Sequence, residues 1–219
     1  MNTEIDLLKN YPKSKRDLTK RLTEKTEQDR LIARKFGKEF FDGDRSHGYG
    51  GFYYNLRFWK DVIPDFEKYY NLTSNSKILD IGCAKGFMLY DFQKIIPGIE
   101  VAGVDISKYA IDNSKEEVRK YIQVSSALKL PFEDNSFDLV ISINTLHNLS
   151  KDDIKIAIKE INRVSKKDAF ITLDAYRDDN EKKAMEAWNL TALTMMHTDD
   201  WKTFFKDINY VGDYYWFIP

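Results

Sequence analysis

The chain has 219 residues, 42% hydrophobic and 14% aromatic, which suffices for one substantial core and is short for two independent domains. Its 34 Lys and Arg balance 35 Asp and Glu, so no global charge recommends nucleic acid or an anionic membrane as a partner, and any charged site is local. The single cysteine, Cys83, excludes an intrachain disulfide framework; the N-terminus is too charged for a signal peptide and no stretch approaches a membrane span, so the sequence reads as cytoplasmic.

Residues 1 to 40 hold eleven Lys or Arg against seven Asp or Glu, and the first twenty or so are expected to fray or to form a solvated helix. The spacing of Leu31, Ala33, Phe36 and Phe40 predicts a helix from Glu27 to Phe41, stopped by Asp42-Gly43-Asp44. Glycines 48, 50 and 51 interleave with Tyr49, Phe52, Tyr53 and Tyr54, an irregular segment with the freedom and apolar area of a lid. A helix over Phe58 to Tyr70 follows, with Pro64 as a kink or a fresh start. Residues 1–72 thus read as a helical extension with a lid, and 73–219 as the main domain.

From Lys77 onward, strands alternate with helices. Strands are predicted at Lys77–Ile81, Val101–Asp105, around Ile122–Ser125, at Phe137–Ile143 and at Ala169–Asp174. Helices are predicted at Gly86–Ile95, at Ser107–Lys120 with Ser107 as cap, and after Ser150, where Asp152 and Asp153 occupy the positive first turn and Ile154, Ile158 and Ile161 recur at helical spacing. Beyond them come helices over Ala184–Met196 and Asp199–Asp207 and one strand at Asp213–Ile218. The strands are too apolar to have a wet face, which predicts an α/β fold: a Rossmann-like three-layer sandwich with a mostly parallel sheet of about six strands.

An open parallel sheet offers its ligand crevice at the carboxyl ends of the strands, where strand order reverses. The first strand runs into Asp80-Ile81-Gly82-Cys83-Ala84-Lys85-Gly86, and the second ends in Asp105. The glycines allow a sharp turn and close approach of a ligand, and the terminal acid can accept both hydroxyls of a ribose. The spacing Gly82, Ala84, Gly86 departs from the G-x-G-x-x-G of nicotinamide oxidoreductases.

These residues, with Gly103-Val104-Asp105-Ile106-Ser107, Ala127-Leu128-Lys129-Leu130-Pro131-Phe132 and Phe137-Asp138-Leu139-Val140, resemble the class I S-adenosylmethionine-dependent methyltransferases over about Lys77 to Asp174. The resemblance implies S-adenosylmethionine as cofactor. It places Asp80, Gly82, Cys83, Ala84 and Gly86 under the methionine part, Asp105 on the ribose, Ile106 against adenine, Ser126 and Ala127 at the adenine edge, and Asn144 at the end of the fourth strand beside the cofactor. Ala84 stands where a third glycine is usual, tolerable with a negative φ, and Ser126 stands where an acid is usual. The family's fold typically ends in an antiparallel hairpin. Here one strand is predicted, so the last edge strand is missing or supplied by something else, and an uncovered edge would favour a homodimer.

His147, in Asn144-Thr145-Leu146-His147-Asn148, and Asp174 are the catalytic candidates, either able to take a proton from an attacking hydroxyl or amine. The alternatives are a hydrogen-bonded structural histidine, and a helix cap or ion pair of Asp174 with Arg177. Tyr49, Tyr53, Tyr54, Arg57 and Tyr176 are candidates to close over the acceptor, and Trp188, Met195 and Met196 read as core. His47 and His197 lack acidic or histidine neighbours suited to a metal. The expected activity is methyl transfer to an O or N atom of a small polar molecule, with a noncatalytic cofactor-binding partner or sensor as the alternative.

Overall fold

The computed structural model describes residues 2–12, 25–49 and 53–219. Its sheet comprises β1 (Lys77–Ile81), β2 (Glu100–Asp105), β3 (Ile122–Val124), β4 (Phe137–Ile143), β5 (Ser165–Tyr176), β6 (Met196–His197) and β7 (Asp213–Phe217). The order is β3-β2-β1-β4-β5, after which β7 pairs with Phe170–Asp174 of β5, and β6 with Ala175 and Tyr176. Every pairing is parallel. Order reverses between β2, β1 and β4, so the crevice opens where these three strands end.

Alternation along each strand divides the core in two. Leu79, Ile81 and Val140 face Ile158, Trp201 and Phe205, carried by helices that cover one side of the sheet. Ile78, Leu139 and Ile141 face Phe66 and Phe92 on the other. The helices are α1 (Glu27–Ala33), α2 (Lys38–Asp42), α3 (Ile63–Tyr70), α4 (Phe87–Ile95), α5 (Lys108–Asp112), α6 (Glu116–Arg119), α7 (Lys151–Val164), α8 (Asp179–Trp188) and α9 (Thr198–Asp207). The predicted three-layer sandwich is what the chain forms. Among the described residues no helix is long and apolar enough to cross a membrane.

Several elements differ from expectation for local reasons. The helix predicted over Glu27–Phe41 is two, because Phe36 adopts a left-handed φ of 48° and α2 restarts from Gly37. The Ser107–Lys120 helix is also two, capped by Ser107 as predicted, with the Lys115 amide diverted to the Lys85 carbonyl at 2.9 Å. Pro64 marks a fresh start, that of α3. The helix predicted over Ala184–Met196 ends at Trp188, where Asn189 closes a turn by accepting from the Ala192 amide and donating to its carbonyl. Met196 is thereby released into β6, a strand too short to show any periodicity.

The N-terminus corrects the sequence reading most. Of the first twenty or so residues expected to fray or form a solvated helix, 13–20 lie outside the described residues, and 2–12 dock on the sheet. The Tyr214 amide donates to the Thr3 carbonyl and the Ile5 amide to the Tyr214 carbonyl, both at 3.0 Å. Leu7 is buried in the cluster that holds Val62 and Phe66. Tyr11 stacks on Phe58 and meets Trp59 edge-on. The apolar residues among the charges were enough to anchor the segment. The outer side of β7 carries Thr3–Ile5 of the same chain.

Candidate active site

At the end of β1 the backbone folds under the crevice. The amides of Gly82 and Cys83 both donate to the Val104 carbonyl, at 2.7 and 3.0 Å. Gly82 has φ 84°, and a β-carbon there would lie 2.1 Å from Thr145 Oγ1, so only glycine fits. Ala84 does not have the negative φ expected of it: its φ is 48°, a conformation costing an L-residue about 1–2 kcal/mol. Its N–H donates to Asp105 Oδ2 at 2.8 Å, which offsets part of that strain. Cys83 is buried, and burial with the charges of Asp80 and Asp105 pushes its thiol well up, so it is an unreactive filler.

Asp105 is oriented from both sides, since the Ser107 amide donates to Oδ1 at 2.8 Å. Burial raises its pKa while these two amides pull it down. Each oxygen retains a second acceptor site, the capacity that a pair of ribose hydroxyls requires. Asp80 lies buried nearby and is pushed to about 7 by burial and by the charge of Asp105. A ligand bearing positive charge would relieve that repulsion. Ile106 is 59% exposed, an apolar face free to cover a base. Ser126 Oγ accepts from the Leu128 amide at 3.2 Å, turning the chain at Ala127. Asn144 has a left-handed φ of 50°, and its side-chain carbonyl accepts from the Thr172 hydroxyl at 2.8 Å. These residues fit a nucleoside that carries positive charge.

His147 and Asp174 meet at the ends of β4 and β5. His147 sits in a 3₁₀ turn, Leu146–Asn148, and both residues are buried. The Asp174 amide donates to His147 Nδ1 at 3.0 Å, and Asp174 Oδ1 stands 3.3 Å from the same nitrogen. A neutral ring that accepts at Nδ1 carries its proton on Nε2. Burial pushes His147 down to about 3 and Asp174 up to about 8. The carbonyl of Asp174 accepts from the Trp201 indole at 3.1 Å. Neither alternative reading of Asp174 holds: Arg177 pairs with Glu181, and Asp178 caps α8.

The lid candidates disperse. Of them Tyr49 alone is linked to Asp174: its hydroxyl accepts from the Leu190 and Thr191 amides at 2.9 and 3.2 Å, its ring stacks on Trp188, and burial with the charge of Asp174 pushes its pKa up. Tyr54 instead donates to Asp91 on α4 at 2.7 Å, beside Phe87 and Tyr90. Tyr53 is 78% exposed, and the exposed Arg57 lies over the Phe58 ring. Tyr176 packs between His197 and Lys182. Gly50, Gly51 and Phe52 lie outside the described residues. Trp188 is buried as expected of core, whereas Met195 and Met196 are half-buried. His47 pairs with Asp29 at 3.1 Å, and His197 contacts the Arg177 carbonyl.

Sequence reasoning missed Asp42 and Lys85. The buried Lys85 ammonium donates to both Asp42 oxygens, at 2.6 and 2.8 Å, and the Tyr109 hydroxyl donates to Oδ2 at 2.8 Å. The only signal was a lysine between two loop residues that the motif had already marked; Asp42 looked like an ordinary turn residue.

Residues 79–173 match the family described as a methyltransferase domain. Among curated proteins, the chain is 35% identical over 112 residues to a demethylmenaquinone methyltransferase of Staphylococcus aureus, covering 49% of this chain and 44% of that protein. It is 27% identical over 141 residues to a malonyl-[acyl-carrier protein] O-methyltransferase of Legionella pneumophila, covering 63% and 47%. The chain spans about half the length of the curated relatives it matches. Its fold is similar to that of the YcgJ protein from Bacillus subtilis, with a TM-score of 0.55, 22% identity and 65% of each chain covered.

Proposed function

We propose that the protein is a class I S-adenosylmethionine-dependent enzyme that moves the methyl group of that cofactor to an O or N atom of a small polar acceptor, a reading supported by the match of residues 79–173 to a methyltransferase domain. The observation that carries this reading is Asp105, held by the Ala84 and Ser107 amides with acceptor capacity to spare, between the glycine turn and the exposed Ile106. Gly82, Ala84 and Gly86 would pass beneath the methionine part, and Ser126 and Ala127 would meet the adenine edge. The cofactor supplies a methyl group already activated on a sulfonium.

What the chain must add is alignment of the acceptor lone pair, exclusion of water and a destination for the acceptor's proton. Asp174 suits that destination. Burial pushes its carboxyl up to about 8, so it rests protonated against His147 and, once ionised, is a base strong enough to take the proton as the new C–O or C–N bond forms and the S–CH3 bond breaks. His147, neutral and held at Nδ1, acts as an N–H donor that orients rather than as a base. Tyr49 closes the acceptor side through Leu190 and Thr191.

The test is release of S-adenosylhomocysteine by the purified protein, offered S-adenosylmethionine and a panel of small alcohols, phenols, amines and carboxylates. Turnover with an O or N acceptor, lost in Asp174→Asn, supports the reading. Cofactor binding without turnover on any acceptor would favour a noncatalytic binding subunit.

A further inference from the structure

Two residues orient Asp105, and each is tied to the N-terminal arm by the next bond outward. Ser107, whose amide holds Oδ1, uses its hydroxyl twice: Oγ accepts from the Ala110 amide at 3.0 Å and donates to the Phe36 carbonyl at 2.5 Å. Ala84, whose amide holds Oδ2, is followed by Lys85, which reaches Asp42 at 2.6 and 2.8 Å. Tyr109, on the helix that Ser107 caps, donates to the same carboxylate. The arm therefore grips both supports of one carboxyl group.

Neither grip is incidental to packing. Phe36 is a bulky residue held at φ 48°, which costs energy and persists where the surroundings enforce it. Its carbonyl is presented to Ser107 from that conformation. The Lys85 side chain is 8% exposed and that of Asp42 19%, so this pair is largely withdrawn from solvent, where loss of one partner is felt strongly. Burial would raise Asp42, yet the bonds from Lys85 and Tyr109 outweigh it and hold the carboxyl below its ordinary value.

We propose that Asp42 and Phe36 are positioning residues for the ribose subsite, so that docking of the arm over residues 36–42 and binding of the cofactor at Asp105 stabilise one another. This rests on the cofactor reading given above. Coupling of this kind is reciprocal: whatever the docked arm adds to cofactor affinity, the cofactor adds to arm docking. Neither residue touches the Asp105 carboxylate. The arm acts by fixing the loop and the helix start that aim it.

The experiment uses the full chain, with S-adenosylhomocysteine as probe. Calorimetry gives affinity, hydrogen exchange over residues 36–42 reports arm docking, and steady-state kinetics separates KM from kcat. In the wild type, the probe should slow exchange of the arm about tenfold, and Asp42→Asn should weaken binding by about the same factor, within the usual range of coupling. Cofactor KM should rise with kcat unchanged. A purely structural role would lower the Tm of Asp42→Asn but leave its affinity for the probe at the wild-type value. Asp42→Asn strands a buried ammonium, so Tyr109→Phe, which removes one hydrogen bond and no charge, is the milder second variant and should shift affinity about two- to fivefold in the same direction. Wild-type protein that binds the probe with no change in arm exchange overturns the coupling alone, as does wild-type affinity in both variants. A folded wild type that does not bind the probe overturns the cofactor reading, and the coupling with it.

Discussion

Asp174 Oδ1 stands 3.3 Å from His147 Nδ1, a nitrogen that already accepts the Asp174 amide at 3.0 Å. Two acceptors in such contact are compatible when the carboxyl is protonated, which agrees with the upward push of burial on Asp174 to about 8.

Stability should therefore depend on pH through both residues. His147, lowered from 6.5 to about 3, contributes stability that is present above about 6.5 and is lost as pH falls toward 3. Asp174, raised from 3.8 to about 8, contributes stability that is full below about 4 and is lost as pH rises toward 8. The two slopes oppose one another between about 4 and 6.5. From 6.5 to 8 Asp174 acts without His147, each such proton giving a fall of about 1.4 kcal/mol per pH unit, and Asp80, raised to about 7, adds to the start of that fall. Urea unfolding of wild type and Asp174→Asn at pH 6, 7 and 8 checks this. The variant should show the shallower fall, and parallel curves would remove the buried acid from the account.

Asp105→Ala should weaken S-adenosylmethionine binding by about 1.5–3 kcal/mol, the scale for hydrogen bonds to a charged acceptor. The loss includes loosening of the loop, since the Ala84 and Ser107 amides lose their common acceptor. Isothermal calorimetry decides it, and unchanged affinity would remove the ribose assignment.

Among the aromatic and basic residues before β1, Tyr49 and Arg57 should behave oppositely. Tyr49→Phe strands the amides of Leu190 and Thr191 at about 1–3 kcal/mol, and should raise acceptor KM. Arg57→Ala, at an exposed site over Phe58, should shift stability and both Michaelis constants little, within about 0.5 kcal/mol in free-energy terms. Kinetics on the two variants compares them directly. A larger defect in Arg57→Ala would return that residue to the binding site.

Leu7→Ala should cost about 2–4 kcal/mol, as for other buried leucines, because Leu7 packs with Val62 and Phe66. Removing residues 2–12 should cost more and uncover the edge of β7, so light scattering should show association that grows with concentration. A stable monomer after that deletion would mean the edge protects itself.

The glycine turn and the acid that faces it were legible because local spacing encodes them. Gly82, Gly86 and Asp105 each close a predicted strand or open a predicted helix, and parallel topology alone brings those ends together. The bounds of β4 and the Ser150 cap of α7 were readable for the same reason. The pair at the ends of β4 and β5 was legible only as candidates. His147 and Asp174 are 27 positions apart, and nothing in sequence tells which face of a turn a histidine takes or which nitrogen it uses. Residues 27–42 were misread because their helix-like spacing is interrupted by a single left-handed residue, Phe36, whose carbonyl accepts from the Ser107 hydroxyl 71 positions away. Lys85 and Asp42 form an ion pair across 43 positions, beyond any local pattern.

The bonds that join Thr3 and Ile5 to Tyr214 carry a consequence for how the protein is made. Thr3 also donates to the Asp213 carboxylate, a partner 210 positions along the chain. At about 5–20 residues per second of synthesis, the arm leaves the ribosome roughly 10–40 s before the strand that receives it exists. Through that interval Thr3 and Ile5 have no place in the sheet. Closure of the edge is then expected to be late in folding, since it joins segments separated by some 210 positions of synthesis.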